Sequence, residues 1–196
     1  FRYDGSSNFP KNKRWGFFPG GSIAWRMSKE NFFQDNISFI DDFKIRASYG
    51  QIGNDAVPAF QWLSTYALGS NGYTFGATPV TSLGLVAGVT PNTNITWEVA
   101  EMMNGGIDGT FWNGLLGFTI DIFKQKRSNI LAKRDLAIPG NTGLILPNEN
   151  IGVVQNKGIE LQLTHQNTIG EFTYRLEGNT AFSRNKIIDI SEAQNV

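Results

Sequence analysis

Hydrophobic and polar residues alternate with a period of two along most of this chain, and the 3.6-residue period of amphipathic helices is nearly missing. In "DFKIRASYGQ", Phe43, Ile45, Ala47 and Tyr49 fall on one face, with Lys44, Arg46 and Ser48 on the other. "LLGFTIDIFKQ" sets Leu116, Phe118, Ile120 and Ile122 against Thr119 and Asp121. "NIGVVQNKGIELQL" ends with Ile159, Leu161 and Leu163 opposite Glu160, Gln162 and Thr164. "EFTYRLEGNTAFSRN" places Phe172, Tyr174, Leu176, Thr180 and Phe182 opposite Thr173, Arg175, Glu177, Asn179 and Ser183. Each stretch predicts a strand with two chemically distinct faces. A further alternation runs from Trp15 to Arg26, broken by Phe18, and Pro19-Gly20-Gly21 predicts a bulge or a strand start there. Ser28 predicts the cap of one short helical turn, with Asp41-Asp42 closing the connection. Gly158, after Asn156 and Lys157, predicts an interruption of its ladder.

The predicted connections alternate in length: short at 27–42, 113–114 and 167–170, long at 53–94 and 132–150. A barrel with short turns at one end and long loops at the other has this rhythm, and sandwiches usually lack it. The segment 53–94, rich in Gly, Ser, Thr, Asn and Pro, reads as a long loop in which "FQWLSTYAL" offers a strand extension. Strand length points the same way. Phe172 and Phe182 share a face ten residues apart. At about 3.3 Å per residue and a tilt of about 40°, that separation is roughly 25 Å along a barrel axis, the height of an apolar band between aromatic girdles. Trp15 and Trp25 repeat the spacing less cleanly because Pro19 lies between them. Aromatic pairs also close ordinary cores, so these spacings alone fit a membrane barrel and a soluble sheet alike.

Composition narrows the chemistry. Of 196 residues, 17 are basic and 17 acidic, so no global field recommends nucleic acid. Cysteine is absent, which removes disulfides, thiol nucleophiles and thiolate metal sites, and with His165 the single histidine the familiar zinc and triad arrangements are hard to assemble. Glycine (22 residues) and aromatics (13%) are high while charge is 17%, a balance suited to extended chains with tight turns. There is no run of eighteen apolar residues, so no helix is expected to span a bilayer, a test that barrel strands of about ten alternating residues escape. The start at Phe1, without a charged-then-apolar leader, is expected of an internal piece of a longer protein. Glu98 and Glu101, three apart on a strand, point to opposite faces and form no carboxylate pair for hydrolysis.

Six stretches in order, "RYDGSSNF", "NKRWGFFPGGSIAWRMSKENF", "FKIRASYGQIGN", "NITWE", "NIGVVQNKGIEL" and "FTYRLEGNTAFSRNKI", resemble the successive barrel signatures of the SusC/RagA family of TonB-dependent transporters in the outer membrane of Bacteroidota. Two departures are conservative for a barrel wall: Phe18-Pro19-Gly20 stands for the family's Phe-Pro-Ser, and Phe43 and Ile45 stand where leucine is common.

The resemblance implies an all-β, antiparallel transmembrane barrel of about 22 strands around a plug, with residues 1–196 supplying roughly seven strands of that single domain and no plug. It implies TonB-dependent import of a large oligosaccharide or peptide, no catalysis and no cofactor or metal. A SusD-like surface lipoprotein would lid the mouth, and TonB would act through regions outside this chain. In that frame Lys44, Arg46, Asp121, Glu160, Arg175 and Glu177 face the lumen, while Ile159, Leu161, Leu163, Phe172, Tyr174 and Phe182 face lipid. For any single polar residue a plain solvated face accounts for the pattern as well. Trp62, Tyr66, Tyr73 and Phe75 of the long loop are candidates to stack on a ligand or pack against the lid, or simply to pack the loop. "KNKR" (Lys11 to Arg14) is a candidate for lipopolysaccharide phosphates beside the simpler reading of a solvated turn. The competing architecture is a soluble carbohydrate-binding β-sandwich.

Overall fold

The computed structural model describes residues 1–69, 74–75, 80–81, 83–133 and 145–190. Twelve strands are seen among them: β1 (Arg2–Gly5), β2 (Trp15–Phe18), β3 (Gly20–Arg26), β4 (Ile40–Asn54), β5 (Tyr66–Gly69), β6 (Thr74–Phe75), β7 (Val80–Thr81), β8 (Gly84–Ala87), β9 (Glu98–Phe111), β10 (Leu116–Lys133), β11 (Asn148–Ile169) and β12 (Phe172–Asp189). Six pair in one antiparallel sheet in the order β12-β11-β10-β9-β4-β3, each beside its chain neighbour once the small loop hairpins are set aside. The sheet is not closed, and no second sheet packs across its apolar face among the described residues. The β-sandwich alternative is therefore not the architecture.

Five of the six strands run 14 to 22 residues, beyond the usual range of soluble strands. Register stays continuous across the sheet. One line of directly opposed residues reads Ala24, Arg46, Gly106, Asp121, Glu160, Ala181 from β3 to β12. The adjacent line reads Trp25, Ile45, Ile107, Ile120, Leu161, Thr180. Because side chains alternate strictly, these two lines lie on opposite faces, one polar and one apolar.

The short connections all fall at one end. Between β9 and β10, Trp112, Asn113 and Gly114 take left-handed φ of 53°, 58° and 83°, the geometry a tight turn demands. Between β11 and β12 the loop is only Gly170-Glu171, with Gly170 at φ 63° as the first central residue of a II′-type turn requires. The third short connection holds a 3-10 turn, Met27–Lys29, and the one-turn helix α1 (Asn31–Gln34).

Several expectations need correction. Ser28 caps no helix: it lies inside the 3-10 turn, buried, and its hydroxyl donates to Asp42 Oδ1 at 2.7 Å, a charged acceptor stronger than a backbone partner. Trp15 and Trp25 do not share a wall strand. Pro19 separates β2, which pairs with β1, from β3, which pairs with β4. Gly158 does not interrupt its ladder, being opposed by Phe123 and Ser183. A β-carbon there would meet the Phe182 carbonyl oxygen at 2.5 Å and Phe123 Cζ at 2.8 Å, so the glycine makes room for that ring beside the neighbouring backbone. Nor is the segment after β4 without regular structure, since β5 pairs with β8 and β6 with β7.

The long-loop end carries the only buried apolar cluster of the described residues. Phe9, Phe18, Ile95 and Trp97 form it, flanked by Val57, Trp62, Val99 and Leu131. Asn150 fastens β11 to it, its amide donating to the carbonyls of Thr96 (2.9 Å) and Asn129 (2.8 Å) while its Oδ1 accepts from Thr96 N–H (3.0 Å).

Candidate functional site

Three chemically different surfaces follow from this geometry. On the polar face, Lys44 and Arg46 of β4 meet acids from β9 and β10. Asp108 Oδ2 accepts from Lys44 Nζ at 2.9 Å and from Arg46 Nε at 3.1 Å, while Thr119 Oγ1 donates to Asp108 Oδ1 at 3.1 Å. Arg46 Nη2 also reaches past β9 to Asp121 Oδ2 at 2.6 Å. That reach depends on Gly106, where a β-carbon would lie 2.6 Å from Arg46 Cζ and 2.7 Å from Asp121 Oδ1.

Glu160 stands opposite Asp121 in register without bonding to it, and Asp121 Oδ1 is buried with no partner. Two cations thus face three carboxylates on adjacent strands, and the surplus is negative. Arg175 and Glu177 of β12 pair with each other at 3.2 Å, and Gln162 donates to Glu177 at 2.6 Å. Nearer the loop end, Arg127 pairs with Glu98 on the same face, whereas Glu101, on the other, accepts from Gln51. The six residues expected on the polar face do share it, and Lys44, Arg46 and Asp121 belong to one network. Its central acid, Asp108, was not among them, although its place in the alternation of "GGIDGTF" marks it.

On the apolar face, Ile159, Leu161 and Leu163 oppose Ile122, Ile120 and Phe118 of β10, and Phe182, Thr180 and Gly178 of β12. Ile159 and Leu163 are 45% and 47% exposed, and Phe172 and Phe182 more so, which leaves a contiguous apolar surface uncovered by this chain. Tyr174 stacks between His165 (5.6 Å) and Phe172 (5.9 Å). At the same short-turn end Phe111 contacts Phe39, Trp112 and Phe118 with ring centroids 6.3, 5.6 and 5.5 Å away. This forms an aromatic band of the kind that marks a membrane–water boundary.

The loop aromatics separate. Trp62 is half-buried against the Phe9–Trp97 cluster, with its indole N–H buried and unpartnered, whereas Tyr66 on β5 is 70% exposed. Tyr73 and the side chain of Phe75 lie outside the described residues. Of "KNKR", Lys13 donates to Asn94 O at 2.9 Å, and the Arg14 carbonyl accepts from Ser6 N–H and from the Trp97 indole, so these two residues tie loops together. Among the described residues no group of three or more acidic or histidine side chains is placed to hold a metal ion.

The TonB dependent receptor-like β-barrel family model matches residues 1–195. Over 196 residues the chain is 33% identical to TonB-dependent receptor P3 of Formosa agariphila, covering 100% of this chain and 19% of that one. Over 194 residues it is 29% identical to TonB-dependent receptor SusC of Bacteroides thetaiotaomicron, covering 97% of this chain and 19% of that one. A structure of the RagAB peptide importer in its open-open state matches with a TM-score of 0.79 at 21% identity, over 96% of this chain and 20% of that one. The closed-closed state gives 0.77 at 20% identity, over 98% and 20%. The chain spans about a fifth of the length of these curated relatives.

Proposed function

The chain belongs to the TonB-dependent receptor-like β-barrel family, and from that premise we propose that its parent protein imports a large nutrient, an oligosaccharide or a peptide, through a plugged barrel driven by TonB. The wall strands β3, β4 and β9 to β12 are strands of an outer-membrane barrel. In this reading the apolar face meets lipid, the polar face lines the lumen, and the long-loop end is extracellular, as it is in barrels with short periplasmic turns.

The observation that carries the reading is the partition of faces, held without a register slip from Lys44 to Glu177 across five strands. Wall residues do no chemistry here: Lys44, Arg46, Asp108, Asp121 and Glu160 form a charged lining against which a plug is seated or a solute passes. Of the described loop candidates, exposed Tyr66 is our candidate to touch a ligand or a SusD-like lid, whereas Trp62 packs the loop. Likeness to SusC supports the lid partnership, and likeness to RagAB supports a peptide cargo beside an oligosaccharide one.

Deleting the full-length gene is expected to stop growth on the imported oligomer while leaving growth on its monomer unchanged. A SusD-like lipoprotein is expected to co-purify with the intact transporter. Undiminished growth on every oligosaccharide and peptide source supplied, together with no co-purifying lipoprotein, would refute the proposal.

A further inference from the structure

The apolar face changes character one register line above Ile159 and Phe182, toward the long-loop end. There Lys124, Lys157 and Arg184 stand directly opposite one another on β10, β11 and β12. The next outward line adds Lys126 and Lys186, on either side of Gln155. All five side chains are exposed, and within the described residues none has an ion pair or hydrogen bond. The carboxylate at the end of that second line, Glu101 opposite Lys126, accepts from Gln51.

Like charges directly opposed on neighbouring strands destabilise a sheet, so this row calls for a counter-anion from outside the chain. Adjacent strands lie about 4.8 Å apart, which places the three charges of the first line within about 10 Å of one another. Long lysine and arginine side chains at that spacing can converge on one phosphate, which accepts charge-assisted hydrogen bonds from lysine and, in bidentate fashion, from arginine.

Directly below the row, the same face opens into a groove of about 1170 Å³ running between Ile23 and Phe182. Its floor is small: a β-carbon at Gly21 or Gly105 would meet nothing within 4 Å, and its flanks include Ile122 and Ile159. Apolar volume beneath unpaired cations is complementary to one kind of molecule, an anionic amphiphile whose chains lie along the wall. Arg184 is twelve residues from Phe172, about 30 Å along a tilted strand, so the cations sit where headgroups begin.

We infer that Lys124, Lys157 and Arg184, with the groove below them, form a binding site for a lipid of net negative charge, bearing phosphate, in the leaflet at the long-loop end. The inference rests on the membrane reading above. Its test uses the full-length transporter, native and with Lys124→Gln, Lys157→Gln and Arg184→Gln combined, in nanodiscs of phosphatidylcholine with 10% phosphatidylglycerol. Retained lipid is counted by native mass spectrometry. A cation near an anionic surface contributes about a fivefold preference, so the ratio of phosphatidylglycerol to phosphatidylcholine retained by the native protein should be at least about tenfold above the bulk ratio, and that of the triple variant near the bulk ratio. Lys29→Gln, at the opposite end, should behave as native. Equal enrichment in native and triple variant overturns the site, as does displacement of the lipid by millimolar inorganic phosphate. Failure of the native protein to enter these discs overturns the membrane reading instead.

Discussion

An arginine scan along β11 tests the assignment of faces and depth together. Phe172 and Phe182 bound the apolar band on β12, and the residue midway between them, Glu177, is opposed by Thr164 on β11. On the proposed reading Leu163 is therefore nearly at mid-height on the lipid side. Each residue advances about 2.5 Å along the axis at a 40° tilt, so Leu161 lies about 7 Å and Ile159 about 12 Å above the Thr164 level. An arginine on the lipid face costs about 2–4 kcal/mol at the midplane and about 0–1 near the interface. Leu163→Arg should then lower the folded-to-unfolded ratio by about 30- to 700-fold, at 1.4 kcal/mol per tenfold. Leu161→Arg should fall between, and Ile159→Arg should cost little. Gln162→Arg provides the contrast: it differs from Leu163 by one position, faces the other way, and would replace the 2.6 Å bond to Glu177 with an ion pair. Urea titration of the full-length protein in phosphatidylcholine vesicles, read by the heat-modified gel shift, measures the series. Equal costs for Leu163→Arg and Gln162→Arg, or no gradient from Leu163 to Ile159, would refute the placement.

Gly53→Ala should destabilise by about 1–3 kcal/mol through overpacking, because its β-carbon would lie 2.0 Å from Cζ of Phe18, which is buried against Trp97. Thermal melting of the intact transporter checks this, and Phe18→Leu in the same chain should recover part of the loss. Gly106→Ala should drive Arg46 off Asp121 and cost about 1–2 kcal/mol, the lower part of the range for a charged hydrogen bond because Arg46 is 31% exposed. In a double-mutant cycle with Asp121→Asn the two losses should be less than additive, and strict additivity would disprove that Gly106 acts through this contact. Trp62→Ala should lower the melting temperature, whereas Tyr66→Ala should leave it unchanged and weaken binding of the imported oligomer or the lid. Isothermal titration with each partner, beside melting curves, separates the two effects, and the reverse pattern would contradict the packing described for Trp62.

The wall was legible from sequence because each of its strands repeats one rule. Apolar and polar positions alternate from Phe43 to Ser48 and from Phe172 to Ser183, and register then carries the same partition across the sheet. Partners were not legible. Asp108 joins Lys44 and Arg46 only because β4 pairs with β9 at one particular offset, and no single strand contains that information. Ser28 looked like a cap because its neighbours resemble a helix start. Its true partner, Asp42, comes from the following strand. Gly158 looked like a break because a glycine in a strand has several causes, and the ring of Phe123 that it accommodates belongs to β10. In the loop, Trp62 and Tyr66 have similar local settings, and the buried cluster that distinguishes them assembles residues from 9 to 131.

On the membrane reading proposed above, the boundary is marked without measuring any length, because the chemistry of the outward surface inverts over a short distance. Below the line of Tyr49, Met103, Lys124, Lys157 and Arg184, large apolar side chains such as Ile122, Ile159, Leu163 and Phe182 point away from the sheet and remain exposed. Above it, Gln51, Glu101, Lys126 and Lys186 replace them, while Phe9, Phe18, Ile95 and Trp97 turn inward to make a core of the kind found in water. Ile95 is buried in that core while Ile159 belongs to a contiguous apolar face that this chain leaves open, and on the membrane reading lipid covers that face. On the same reading the line where the rule changes is where water and lipid meet, which is also where the unpaired cations stand.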